Sequence, residues 1–253
     1  MSDALKGPTV LALIETFPYL GWSLAMFGLL GVLMLCSSAA QRRKALWSAA
    51  LATPFAFLEQ FAIPIYWNPK RTLVWLGVSP EDFLFVFTIG GLSWLLATWP
   101  LRQRLAVDTE PKGLLRRYTL VSGLAFPLSL GTLLLEVKPM SYTLVPIVVG
   151  GFVFVALRPA LSLLAVPGMA GYTLVHCVVL KSAFALTPSF ASSWNAPNLW
   201  GPTLWGIPVD EIIWAAAFGA VWPVFVAYVF NARFHFLDRL SRPGSTECGP
   251  RAE

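Results

Sequence analysis

The chain has 253 residues, 57% hydrophobic and only 12% charged, with a mean hydropathy of +0.67. A soluble domain carries about 25% charged residues, so there is too little polar material here to coat a globule in water, which argues against soluble enzymes and disordered proteins. The formal charge of +5, from 18 Lys and Arg against 13 Asp and Glu, sits in short clusters between apolar runs. That is the pattern of membrane loops rather than of a nucleic-acid-binding face.

A helix needs about 20 mostly apolar residues to cross a bilayer. Such stretches fall at 17–36, 46–66, 82–100, 117–135, 141–158, 168–187 and 210–230, which predicts an all-α polytopic membrane protein with seven transmembrane helices. No charged n-region, apolar h-region and small-residue cleavage site precede the first, so it is expected to remain in place. The second contains Glu59 and Gln60 and leads into Trp67-Asn68-Pro69. The third opens on Ser79-Pro80-Glu81-Asp82, a helix start with a cap, a first-turn proline and acids. The fourth follows a basic loop. Arg158-Pro159 divides the fifth from the sixth within one long apolar stretch, so six spans with one bent is the alternative count.

The sixth span carries His176 and Lys181. Glu59 and Lys181 fall at similar depth, where ionisable groups are costly unless paired or functional, so either an ion pair between them or a catalytic role for Glu59 is expected. His176 points away from Lys181 by about 140° and reads as a hydrogen-bonded packing residue, as does Gln60. Glu15 and Glu136 read as interfacial and Arg158 as a cytoplasmic anchor. The tail after Asp238 is small, polar and rich in Pro and Gly, a composition that fits disorder. Cys36, Cys177 and Cys248 are far apart and odd in number, so neither disulfides nor a zinc site is expected.

With the N-terminus outside, 13 of the 18 basic residues fall in cytoplasmic segments, among them Arg42, Arg43, Lys44, Arg104, Arg116 and Arg117; Lys6, Lys70, Arg71 and Lys138 lie outside. The positive-inside rule then favours an N-out, C-in protein of the cytoplasmic (inner) membrane.

Two segments align without a gap at an offset of 129, Leu76–Phe85 (LGVSPEDFLF) and Trp205–Trp214 (WGIPVDEIIW). Each follows a Trp-Asn with a nearby proline, Trp67-Asn68-Pro69 and Trp194-Asn195-Ala196-Pro197. Shifted by this offset, spans one to three fall on spans five to seven, and the fourth is left as a connector that makes the repeats parallel. The expected organisation is 3+1+3: a first three-helix repeat over 1–100, a cytoplasmic loop and connector helix over 101–138, a second repeat over 139–232, and a cytoplasmic tail over 233–253 that is expected to be disordered. Both acidic pairs, Glu81-Asp82 and Asp210-Glu211, then lie on the same outer side.

A helix start needs one acid, whereas both copies have two followed by bulky apolar residues. Two carboxylates in one apolar site are equipment for acid–base chemistry, one giving a proton and the other taking one. Glu81, Asp82, Asp210 and Glu211, supported by Glu59, are therefore the candidate catalytic residues. Trp75, Phe83, Phe85, Trp205 and Trp214 are candidates to line a substrate site and face a carbocation with their rings, with an interfacial aromatic belt as the alternative.

The segments GVSPEDFLF and GIPVDEIIW resemble the P-x-E-E-x-x-F signature of the integral-membrane, flavin-free lycopene cyclases, made as two small subunits or one fused chain. The stretch PFAFLEQFAIPIYWNP, Pro54 to Pro69, is similar to the same family. The first copy displaces the proline by one position and has Asp for the second Glu; the second copy has Asp for the first. The resemblance implies an intramolecular lyase (isomerase) of carotenoid biosynthesis: protonation of a terminal double bond of lycopene, ring closure through a tertiary cation, and proton loss to a β-ionone ring. It implies no cofactor and no metal, in agreement with the absence of a G-x-G-x-x-G. Its partners are membrane lipid and an apolar carotenoid or terpenoid, not nucleic acid, and homo- or hetero-oligomers are left open. A small 3+1+3 transporter and a non-catalytic protein of the same fold are the alternatives.

Overall fold

The computed structural model describes residues 14–236 apart from 103, 104, 109, 111 and 136. The readings placed on Lys6, Arg104, Glu136 and the tail beyond residue 236 lie outside the described residues.

Helix α1 (Pro18–Leu35) opens on a proline, and α2 (Ala39–Ala52) is capped by Ser38, whose hydroxyl accepts from the Gln41 N–H at 3.3 Å. Pro54 follows at once. It cannot donate to the helical ladder, and the chain tightens into a 3-10 stretch (Thr53–Leu58) before one further turn, α3 (Glu59–Ala62). Helix α4 (Pro80–Thr98) is followed by strand β1 (Leu105–Asp108), α5 (Leu114–Leu134) and α6 (Met140–Leu157). A 3-10 stretch at Pro159–Leu164 leads into α7 (Ala165–Leu186), and α8 (Pro188–Ala191) turns the chain back. Strands β2 (Thr203–Leu204) and β3 (Ile207–Pro208) precede α9 (Val209–Val229), and β4 (Arg233–Phe236) ends the described part.

The described residues are mostly helical and include five segments long and apolar enough to cross a membrane: Pro18–Leu35, Pro80–Thr98, Met140–Leu157, Pro159–Leu186 and Val209–Val229. Their character is that of a membrane protein. The second predicted span is interrupted at Thr53, and the fourth, α5, begins with Arg116 and Arg117 and carries hydroxyl residues along its length. Helices α4 and α9 occupy the centre, packed on each other; α4 also meets α1, α2 and α7, and α9 meets α6 and α7. Helices α1, α6 and α7 turn Phe27, Phe152 and Leu174 outward, an apolar exterior that lipid would cover.

Glycines permit the close crossings. A Cβ on Gly219 of α9 would lie 2.6 Å from the Gly168 carbonyl oxygen of α7, and one on Gly90 of α4 would lie 2.5 Å from the Ala52 Cβ of α2. Gly90 and Gly219 are themselves 129 residues apart, so the offset seen at the helix starts extends to the helix crossings. The halves are joined by a buried hydrogen bond from Trp222 Nε1 to Ser48 Oγ (2.9 Å), which in turn donates to the Gly90 carbonyl (2.7 Å).

Three expectations change. Residues 233–236, assigned to a disordered tail, pair antiparallel with β1, so the fold includes two small two-stranded sheets beside its helices. Arg158 is tied inward, its guanidinium bonded to the Asn231 side chain and 5.6 Å from the Tyr228 ring. Lys181 is exposed beside Gly206 and forms no ion pair with Glu59. It stands on the outward face of α7, while the break at Pro54 turns Glu59 toward the interior.

Candidate functional site

The repeated segments begin as matched tight hairpins. Trp75 pairs with Val78 across Leu76-Gly77, and Leu204 pairs with Ile207 across Trp205-Gly206. A two-residue loop of this kind needs positive φ at both central positions. The angles are +49° and +81° in the first copy and +55° and +78° in the second. Glycine takes this conformation without strain; Leu76 and Trp205 are held in it. The two loops also meet each other. The Asn68 N–H donates to the Ser193 carbonyl (2.7 Å), and the Asn195 N–H donates to the Tyr66 carbonyl (2.9 Å). These bonds exchange partners about a local two-fold axis on which Trp67 and Trp194 face each other at 5.4 Å.

The two acids of each pair do different work. The first acid clamps the loop before its helix: Glu81 Oε1 accepts from the Thr72 N–H (2.7 Å) and Asp210 Oδ2 from the Trp200 N–H (3.0 Å), both carboxylates being fully buried. The second acids diverge. Asp82 caps α4, accepting from the Ser79 N–H (2.6 Å) and from Arg71 (3.2 Å). Helix α9 has Pro208 at the capping position and no side-chain cap, which leaves Glu211 free to face inward. Its Oε1 accepts from Trp194 Nε1 (2.9 Å), and its Oε2 lies 3.4 Å from His176 Nε2.

An open-sided cavity lies between the halves. Two carboxylates line it, Glu59 and Glu211, together with Tyr66 and Met140. Trp22, Trp67, Phe85, Trp194 and Trp214 form its aromatic wall. Phe85 and Trp214 are repeat mates and stack at 6.5 Å with planes 24° apart. Glu59 is within electrostatic reach of both Asp82 and Glu211 and of Arg71. Tyr19 and Tyr66 bring hydroxyls toward Asp82 and Glu211 respectively. Among the described residues, no group of three or more His, Cys, Asp or Glu is placed to hold a metal ion.

Of the residues singled out by sequence, Glu59, Glu211, Phe85 and Trp214 meet at this cavity. Asp82 lies behind it, and Glu81 and Asp210 are engaged by loop backbone. Trp205 is the first residue of its two-residue turn and Trp75 the residue just before its own; they are 73% and 69% exposed, and neither lines this cavity. Phe83 packs on Phe57 instead, with ring centres 5.4 Å apart.

His176, Arg71, Trp22, Trp67 and Trp194 join the site without having been named as its members. His176 was read as a packing residue; it is fully buried and held among Trp22, Tyr172 and Trp214, and it turns toward Glu211. The recurrence of Trp67-Asn68 and Trp194-Asn195 was the signal available for two of these residues. Comparison of the chain with protein-family models, curated proteins and solved structures finds no match.

Proposed function

We propose that this protein is a multi-pass membrane enzyme that isomerises an apolar polyene by acid–base chemistry, a lycopene cyclase-like activity that closes a linear carotenoid end group to a β-ionone ring. One observation carries the reading: Glu59 and Glu211 line a single cavity whose walls are largely aromatic. A carboxylic acid protonates the terminal double bond, ring faces stabilise the tertiary cation electrostatically, and the second carboxylate removes a proton from the adjacent carbon. One proton enters and one leaves, so the reaction is redox-neutral. An insoluble hydrocarbon reaches such a site from the bilayer, in keeping with its open side.

In this reading the chain spans the inner membrane seven times in a 3+1+3 order, N-terminus out, with α2–α3 and α5 supplying the two spans that fall short on length or polarity. The test is expression in a lycopene-accumulating host followed by pigment analysis. Monocyclic or bicyclic products are expected, with loss of at least about 100-fold in Glu211→Gln and Glu59→Gln. Unchanged lycopene beside verified membrane insertion refutes cyclase activity on that substrate.

The 3-10 break at Thr53–Leu58, immediately before Glu59, favours a second reading, since interrupted helices at a polar site also mark small transporters. Solute uptake into proteoliposomes, abolished by Glu59→Gln, would support it over the enzyme.

A further inference from the structure

We propose that the two acid sites of the repeat are chemically unequal, and that His176 is the positioning residue that makes Glu211, not its mate Asp82, the carboxyl that exchanges a proton with the substrate. This rests on the acid–base reading of the cavity above.

Asp82 and Glu211 occupy equivalent places 129 residues apart, yet their surroundings differ in kind. Asp82 is held by a cation, Arg71, and by the Ser79 N–H at a helix start, both of which stabilise a carboxylate. It does not line the cavity. Glu211 does, and among the described residues no Lys or Arg bonds to it. Trp194 donates to its Oε1, which leaves Oε2 as the oxygen able to carry a proton, and that oxygen faces His176 Nε2.

The imidazole is fully buried, and among the described residues neither ring nitrogen has a hydrogen-bond partner, while Glu211 lies 3.4 Å away. Trp22 from α1, Trp214 from α9 and Tyr172 from its own helix enclose the ring. Gly168 and Tyr172 of α7 stand to Gly219 as Ser48 and Ala52 of α2 stand to Gly90, which sets Ala56 opposite His176 in the repeat, so the first half has no equivalent imidazole.

A carboxyl and an imidazole so placed can pass one proton between Oε2 and Nε2. When substrate is bound, the Oε2–H bond breaks as the proton joins the alkene carbon. The carboxylate left behind keeps the Trp194 N–H bond, and Glu59 takes the proton released from the carbon next to the cation. After product leaves, Glu59 gives that proton to water in the open cavity and Glu211 regains one, so no proton is consumed.

The experiment is ¹⁵N-histidine labelling of the full chain in nanodiscs at pH 7. The sequence has two histidines, and His176→Gln identifies the His176 ring signals by their loss. Glu211→Gln is expected to move those signals to the values of an unpartnered neutral imidazole, and Asp82→Asn to leave them in place. Per folded protein in lycopene-accumulating cells, Glu211→Gln is expected to lose at least about 100-fold and His176→Gln about 10- to 100-fold. Asp82→Asn is expected to stay within about threefold while its unfolding temperature falls; thermal unfolding separates the two effects. His176 signals indifferent to Glu211→Gln overturn the pairing, whatever the activity. Equal losses from Asp82→Asn and Glu211→Gln overturn the inequality. A paired His176 in a wild-type chain that turns over no polyene overturns the acid–base reading itself, a result the labelling keeps apart from failure of the pairing.

Discussion

Adjacent acids at a helix start are commonly explained by capping, but of the four carboxyls here only Asp82 caps its helix. Glu81 and Asp210 act on the loop one step upstream, each accepting one of its backbone N–H groups. Glu81→Ala should therefore cost about 1.5–3 kcal/mol of stability, the range for a hydrogen bond to a charged group. Glu81→Gln, whose side-chain carbonyl still accepts, should cost less; thermal unfolding of the solubilised protein compares them. The hairpin glycines carry a separate requirement. Gly206→Ala places a Cβ on a residue at φ +78° and should destabilise by about 1–2 kcal/mol, read in the same assay. If it costs nothing, the hairpin is not what positions α9.

At the scale of elements, α4 and α9 are central because glycine lets a second helix approach each of them backbone to backbone. Gly219→Ala would press on the Gly168 carbonyl, and Gly90→Ala on the α2 backbone. Neither obstacle is a flexible side chain. Losses of about 1–3 kcal/mol are expected at each. Gly28 and Gly31 on α1 have open space where a Cβ would go, so alanine there should be neutral or stabilise by up to about 1 kcal/mol through helix propensity. Unfolding temperatures of the four variants should split into two pairs. Helix periodicity alone could not separate these glycines, because which of them meets a neighbouring backbone depends on the crossing point. The existence and approximate ends of the helices were legible because long apolar runs bounded by Pro, Ser and Arg leave few alternatives. The break at Thr53 was less so: Pro54 marked the position, but a proline can also sit in a continuous helix, as Pro127 and Pro146 do in α5 and α6.

At the scale of the molecule, two halves share one interior. Trp222 of α9 reaches Ser48 of α2, and the Trp67 and Trp194 loops exchange backbone hydrogen bonds, so neither half closes its core alone. Trp222→Phe and Ser48→Ala combined in a double-mutant cycle should show a coupling energy of about 0.5–3 kcal/mol. Additive losses would mean the halves are energetically independent. Because the loops meet, their hairpin tips belong on one side of the membrane. In a chain whose own cysteines are replaced, Trp75→Cys and Trp205→Cys should both react with an impermeant maleimide from outside intact cells, and Lys112→Cys only after lysis. Labelling of the two tips from opposite sides would contradict the parallel arrangement.

The amino-acid sequence by itself determined the membrane character, the places of the helices, and the recurrence of a Trp-Asn loop, a Gly turn and an acidic helix start. These are properties of composition and local spacing. Only the tertiary structure decided what each acid faces. Glu81 and Asp210 resemble Asp82 and Glu211 in sequence, yet one residue of travel along a helix turns a side chain by about 100°, from the loop to the interior. Likewise, the role of His176 depended on α7 and α9 packing closely enough, at Gly168 and Gly219, to bring an imidazole within 3.4 Å of Glu211. No local pattern records that distance, because the two residues lie on different helices and meet only when the bundle closes.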